Sequence, residues 1–179
     1  QFQGQLDALR AAGYVPIRLE DVRALYERGK PLPRKAVLMT FDHGRKSTYF
    51  AVKAPLRRAG WNAVMFLWTR SINERDPASL LWPYIGHMVR SRTWEIGAQS
   101  HNGFESIPVS PSGRRGHFMT SPLWMEKENR FETVDEFQTR LVQDHERCRA
   151  VIERRVGHAP VAYAYPYGDF GQFQPRASV

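Results

Sequence analysis

The spacing of apolar residues predicts that the chain opens with two short helices. Phe2, Leu6 and Leu9 recur at spacings of four and three, which places them on one helical face, and Gly13 suits the end of that helix. A second helix is predicted over residues 19–27, and two prolines shortly after it break the chain. Both helices therefore precede the first predicted strand.

Four short, mainly apolar runs predict strands, the third of them weaker, and the lack of polar alternation in the first indicates a strand covered on both faces, as in parallel sheets. These runs are residues 36–39, 63–68, 94–98 and 161–165. Helices are predicted between them at residues 47–59, 77–90 and 133–157. Ser47 is expected to cap the first of these helices, Pro83 to kink or interrupt the second, and Thr133 with Glu136 to form a capping box at the third.

This alternation of helix and strand predicts an α/β fold with a parallel sheet or barrel. Because a closed barrel needs about eight strands, four strands predict an incomplete or distorted (β/α) barrel that is truncated after the fourth strand. Residues 103–130 fit neither pattern and are expected to form a long loop, which is usually functional or mobile. Residues 1–179 are expected to be one partial domain of a longer protein, since the chain opens with Gln1.

Composition narrows the classes of partner. Apolar residues make up 42% and charged residues 25% of the chain, as in globular proteins. The net charge of +8 would suit a polyanion, but the arginines are scattered and no nucleic-acid-binding motif accompanies them, so no nucleic-acid partner is expected. No apolar run reaches the roughly 18–20 residues of a membrane helix. A single cysteine, Cys148, excludes an intrachain disulfide and a cysteine-based zinc cluster.

Polar and aromatic residues follow three of the four predicted strands. Asp42 and His43 come after the first, Gln99 and His101 after the third, and Tyr165-Pro166-Tyr167 after the fourth. In parallel α/β folds, ligands gather at the carboxyl ends of the strands. The sequence therefore predicts one functional cleft at this edge.

Three segments in order resemble a known family. Thr40-Phe41-Asp42-His43-Gly44 resembles the first motif of the polysaccharide deacetylases, the NodB-homology domain of carbohydrate esterases, which usually reads Thr-Phe-Asp-Asp-Gly. Residues 95–98 are similar to the strand that carries the second motif, and residues 164–168 to the third motif. The lead-in over residues 9–33, the long insertion and the helix from Thr133 look most like the branch that deacetylates poly-β-1,6-N-acetylglucosamine in biofilms.

The resemblance implies metal-assisted hydrolysis of an N-acetyl amide. It implies Asp42 as the general base and the backbone N–H of Tyr167 as a donor to the oxyanion. It also implies an N-acetylated polysaccharide as partner, a periplasmic or cell-surface location, and further strands or a further domain beyond Val179. The residues expected to line the substrate groove are Tyr165, Pro166, Trp124 and Gln99.

The sequence departs from the family at the metal ligands. The family holds a divalent cation, commonly zinc, with a second Asp and two histidines, whose positions fall here on His43, Gln99 and Phe104. Phenylalanine has no donor atom, and a glutamine amide is a poor zinc ligand. Either His43 and His101, with Asp42, rebuild a metal site, or His43 is a satisfied polar residue on a loop and His101 faces solvent.

Three functions are therefore open. The chain is an exopolysaccharide deacetylase with an altered divalent-metal site, or a degenerate deacetylase without a metal that binds the polymer or scaffolds its export machinery. The third, an unrelated basic α/β domain that binds nucleic acid, has only the net charge in its favour.

Overall fold

A computed structural model describes residues 1–171 of the protein. Its centre is a three-stranded parallel sheet of β3 (Thr40–Phe41), β4 (Ala63–Leu67) and β5 (Trp94–Ala98), with β4 in the middle. A separate parallel pair, β1 (Val15–Pro16) and β2 (Ala36–Val37), precedes it. The predicted α/β fold with parallel strands is confirmed, and no closed barrel forms within the described residues.

Within residues 1–171 six α-helices accompany the sheet, and the positions of most were predicted. They are α1 (Phe2–Ala11), α2 (Leu19–Arg28), α3 (Lys46–Ala59), α4 (Thr69–Asn73), α5 (Trp82–Arg90) and α6 (Val134–Val156). The capping box of Thr133 and Glu136 is confirmed. The expected cap at Ser47 is wrong, because α3 begins one residue earlier, after Arg45. Pro83 does not kink a helix either, because it lies in the first turn of α5, where a missing N–H costs nothing.

Two predicted strands are shorter than expected. Of the apolar run at 36–39, only residues 36–37 form a strand, β2, and β3 begins after the run at Thr40 in a different sheet. The predicted fourth strand makes only a parallel bridge from Tyr163 to Ala98, with backbone hydrogen bonds of 2.9 Å on either side of Tyr163. A single 3₁₀ turn, Pro166–Gly168, follows. This segment nevertheless places the third motif beside the end of β5.

The long insertion is more ordered than predicted. It contains two antiparallel hairpins, β6 (Ser106–Pro108) with β7 (Arg115–His117) and β8 (Trp124–Met125) with β9 (Arg130–Phe131). Arg140 on α6 holds both, since its guanidinium donates to the carbonyls of Phe118 and Ser121 and pairs with the buried carboxylate of Glu132. A side chain distant in sequence thus orders a segment that lacks its own periodic pattern.

The sheet separates two apolar clusters. The larger joins residues of β4 and β5, such as Met65 and Ile96, to α1, α3, α5 and α6. The smaller lies around Val64, Phe66 and Leu19. Gly97 stands opposite Phe66 in the β4–β5 register, and a Cβ there would lie 2.4 Å from the Phe66 ring, so the ring requires glycine. Among the described residues, no helix is long and apolar enough to cross a membrane.

Candidate functional site

The first motif forms a tight turn after β3 that a buried glutamine supports. His43 has a left-handed backbone with φ of 66°, a conformation that costs a non-glycine residue about 1–3 kcal/mol. The side-chain oxygen of Gln99 accepts the backbone N–H of His43 at 2.8 Å. Gln99 is only 2% exposed. Its position beneath the turn is therefore structural, and it does not line an open groove.

Asp42 projects its carboxylate into solvent from the same turn. Within residues 1–171 this carboxylate has no hydrogen bond and no ion pair. The imidazole of His43 is partly buried, and this burial, helped by the positive charge of Arg45, lowers its pKa against the opposing effect of Asp42. The turn consequently presents a free carboxylate beside a neutral imidazole at pH 7.

A continuous row of rings lies beside the first motif. We call this set the aromatic row: Trp68, Phe104, His43, Tyr167 and His117. The ring of Phe104 lies 4.5 Å from that of His43, 4.9 Å from Trp68 and 5.2 Å from Tyr167, and His117 stacks on Tyr167 at 4.5 Å. Phe104, which the resemblance aligns with a metal-ligand position, thus contacts His43.

His101 is buried, so the expectation that it faces solvent is wrong, and its Nδ1 and backbone groups are hydrogen-bonded in the interior. Its Nδ1 lies 2.9 Å from the Thr69 hydroxyl, its backbone N–H donates to Asp144 at 3.0 Å, and its carbonyl accepts the indole N–H of Trp68 at 2.9 Å. Burial, as the largest cause, lowers the pKa of the imidazole. The side chain is 3% exposed and serves the turn after β5.

These residues do not fit a catalytic zinc ion. Within residues 1–171, no three His, Cys, Asp or Glu side chains are placed to hold a metal, so the expected set of Asp42, His43 and His101 is not assembled. Phe104 offers no donor, and the amide oxygen of Gln99 already accepts the His43 N–H. At the positions that the resemblance assigns to metal ligands, the described residues offer a phenyl ring and a glutamine amide that is already hydrogen-bonded.

The third motif closes the other side of the site. Tyr167 has φ of 60°, and its hydroxyl donates to the carbonyl of Phe104 at 3.0 Å. Pro166 is buried against Gly103, where a Cβ would lie 2.7 Å from the proline ring. Tyr165 is half exposed and borders a cavity of about 380 Å³ with Phe137.

Trp124 lies apart from these residues. It belongs to the β8–β9 hairpin, where its ring packs edge-on against Phe131 at 5.1 Å. The cavity beside Tyr165 is lined by other residues. The structure therefore brings Asp42, His43, Gln99 and Tyr167 to one edge and leaves Trp124 in the insertion.

Three polar residues at this edge were not predicted. His117, at the end of β7, places its Nδ1 2.8 Å from the carboxylate of Asp169, which also accepts the Thr120 hydroxyl at 2.7 Å. These hydrogen bonds, that of His117 first, lower the pKa of Asp169. The sequence contained the residues but gave no signal that a hairpin would bring His117 onto Tyr167.

Comparison with known proteins identifies the family of this chain. The sequence profile described as polysaccharide deacetylase matches residues 29–174. The chain belongs to the polysaccharide deacetylase family. A poly-beta-1,6-N-acetyl-D-glucosamine N-deacetylase of Escherichia coli (strain K12) is 26% identical over 174 residues, which are 90% of this chain. The chain spans 26%, about a quarter, of the length of that relative.

Solved structures of deacetylases share the fold of this chain. A de-N-acetylase from Aggregatibacter actinomycetemcomitans superposes with a TM-score of 0.84 at 26% identity, over 93% of this chain and 68% of that one. The BpsB deacetylase domain from Bordetella bronchiseptica gives 0.87 at 22% identity, over 94% and 69%. The second likeness, at its lower identity, supports the fold alone.

Asp144 is predicted to be the main support of the turn after β5. Its buried carboxylate accepts the backbone N–H groups of His101 at 3.0 Å and of Asn102 at 2.6 Å. Asp144→Ala leaves both donors without an acceptor and should lower the free energy of unfolding by about 2–3 kcal/mol, measured by urea denaturation. Asp135→Ala, at an exposed position of the same helix, is the control. Equal stability of the two variants would contradict the assignment.

Proposed function

We propose that this domain binds an N-acetylated β-1,6-linked glucosamine polymer of an exopolysaccharide system and does not hydrolyse it by the metal-assisted route. The observation that carries the proposal is the contact of Phe104 with His43, which puts two packed rings where the family needs metal donors. Membership of the family and the name of the 26% identical relative support the polymer class. The site of action is accordingly extracytoplasmic, in the periplasm or at the cell surface.

The backbone of the site argues for a retained binding role. Three of the six non-glycine residues with a left-handed backbone in residues 1–171 lie at this edge: His43, Ser100 and Tyr167. Such conformations are costly and are concentrated at functional sites. Tyr167 is 58% exposed, and together with His117 it offers an apolar ring surface of the kind on which sugar rings stack. Strain and exposed rings without metal donors favour binding over turnover.

Hydrolysis is the second candidate, and one observation favours it. Asp42 is kept at the position of the family's general base, and its carboxylate is exposed. A base alone lacks the electrophile that polarises the acetyl carbonyl, a contribution that a dication supplies in this family. Polymer binding therefore explains more features of the site than hydrolysis does.

We expect the purified protein to bind β-1,6-linked N-acetylglucosamine oligomers and to release no acetate from them, with or without added zinc. Calorimetry measures the binding, and an enzymatic acetate assay measures turnover. Tyr167→Ala removes the most exposed ring of the aromatic row and should weaken binding at least tenfold, whereas Tyr26→Ala, at an exposed tyrosine on α2, should not. Zinc-dependent acetate release by the wild-type protein would overturn the proposal in favour of hydrolysis.

A further inference from the structure

We propose that the site prefers deacetylated, cationic glucosamine units of the polymer over N-acetylated units, through the carboxylate of Asp42. This inference rests on the proposed polymer binding and adds the chemical form of the sugar that is bound. A glucosamine unit differs from its acetylated form by an ammonium group in place of an amide. The selectivity must therefore come from a negative charge at the site.

The charge at the first motif has lost its usual partner. Where a divalent cation lies beside this carboxylate, the cation repels an ammonium group. Here the positions that the resemblance assigns to metal ligands hold His43, Gln99 and Phe104, and within residues 1–171 no three His, Cys, Asp or Glu side chains are placed to hold a metal. Asp42 has neither an ion pair nor a hydrogen bond within residues 1–171. Locally, an unpaired carboxylate attracts a cation rather than an anion, against the net charge of +8 of the whole chain.

Two arginines on the segments after β3 and β4 affect this charge differently. Arg70, on α4 after β4, is paired with Glu74 at 2.8 Å and also contacts Glu105, so that group has a net negative charge and does not repel an ammonium group. Arg45, three residues after Asp42, is exposed and forms no ion pair within the described residues, and its charge opposes that of Asp42 at His43. The preference for an ammonium group is therefore expected to be small, as for one partly exposed ion pair.

A second carboxylate lies at the far end of the aromatic row. His117 holds Asp169 at 2.8 Å, and its own ring stacks on Tyr167, the most exposed ring of the row. The row therefore runs from the free carboxylate of Asp42, beside His43, to the hydrogen-bonded carboxylate of Asp169. Rings between two anionic ends form a surface on which a sugar ring can stack while its amine meets a carboxylate.

The experiment compares two β-1,6-linked oligomers of equal length, one fully acetylated and one fully deacetylated, by calorimetry at pH 6. The wild-type protein should bind the deacetylated oligomer about twofold to fivefold more tightly, the range expected of one partly exposed ion pair, and 0.5 M salt should reduce this preference. Asp42→Asn should abolish the preference, so that this variant binds the two oligomers equally. Asp7→Asn, which changes the net charge equally on the outer helix α1, should leave the preference intact.

The outcomes separate this inference from the proposed function. Equal or tighter binding of the acetylated oligomer overturns the preference but leaves polymer binding in place. A preference that survives in Asp42→Asn, or that disappears equally in Asp7→Asn, assigns it to the overall charge and overturns the role of Asp42. Binding of neither oligomer overturns the proposed function itself.

Discussion

The triple variant His43→Asp, Gln99→His and Phe104→His is expected to bind one zinc ion per chain, whereas the wild-type protein retains none after chelation. The three positions already meet, since Gln99 accepts the His43 N–H at 2.8 Å and the Phe104 ring lies 4.5 Å from His43. One carboxylate and two imidazoles are a sound donor set for zinc with an open position. Elemental analysis after dialysis measures the change.

The partial variants identify which substitution matters. The double variant His43→Asp with Gln99→His keeps Phe104 and should bind zinc far more weakly, because the phenyl ring still fills the third ligand position. Acetate release by the triple variant should be small, since the groups that orient metal ligands are not matched to the new ones. A triple variant that folds but takes up no zinc would show that Gln99 and Phe104 are not at the family's histidine positions.

Much of the fold followed from periodicity because its core elements are locally consistent. The run at β4 is apolar throughout, β5 is apolar apart from Glu95, and α6 has both its capping box and Gly157 at its end. The run at 36–39 failed because apolar character alone does not show that β2 and β3 pair with different neighbours. The start of α5 was placed too early, at residue 77 instead of Trp82, although proline is favoured in a first turn and Pro83 therefore indicates the start.

The site was predictable where motifs follow strands and unpredictable where distant segments meet. Asp42, Gln99 and Tyr167 were placed at one edge because parallel strands end together. The aromatic row combines Trp68 after β4, Phe104 after β5 and His117 from a hairpin, and no sequence spacing relates these three. His101 was a candidate ligand by residue type, but Thr69 and Asp144 engage it in the interior. Burial, which sequence alone did not reveal, decided its role.

Arg140→Ala is expected to lower the free energy of unfolding by about 3–5 kcal/mol and to expose the insertion to proteolysis. The guanidinium is 15% exposed and its partner carboxylate, on Glu132, 3% exposed, with an N–O distance of 2.5 Å. Removing the arginine leaves a buried carboxylate unpaired, a change that is strongly destabilising. It also removes the donors to the carbonyls of Phe118 and Ser121. Denaturation curves and limited proteolysis within residues 109–129 measure the two effects.

A double-mutant cycle tests whether the unpaired carboxylate of Glu132 causes the loss of stability. The double variant Arg140→Met with Glu132→Gln removes both charges. It keeps a side-chain oxygen that can accept the Leu123 N–H, as Glu132 does at 2.7 Å. The double variant should therefore be more stable than Arg140→Met alone. Additive losses would contradict the buried-charge explanation.

Because His117 directly precedes Phe118, loss of the Arg140 side chain should also loosen the stacking of His117 on Tyr167 and weaken polymer binding. Binding that is unchanged in a folded Arg140→Met variant would show that the aromatic row is positioned independently of the insertion's attachment to α6.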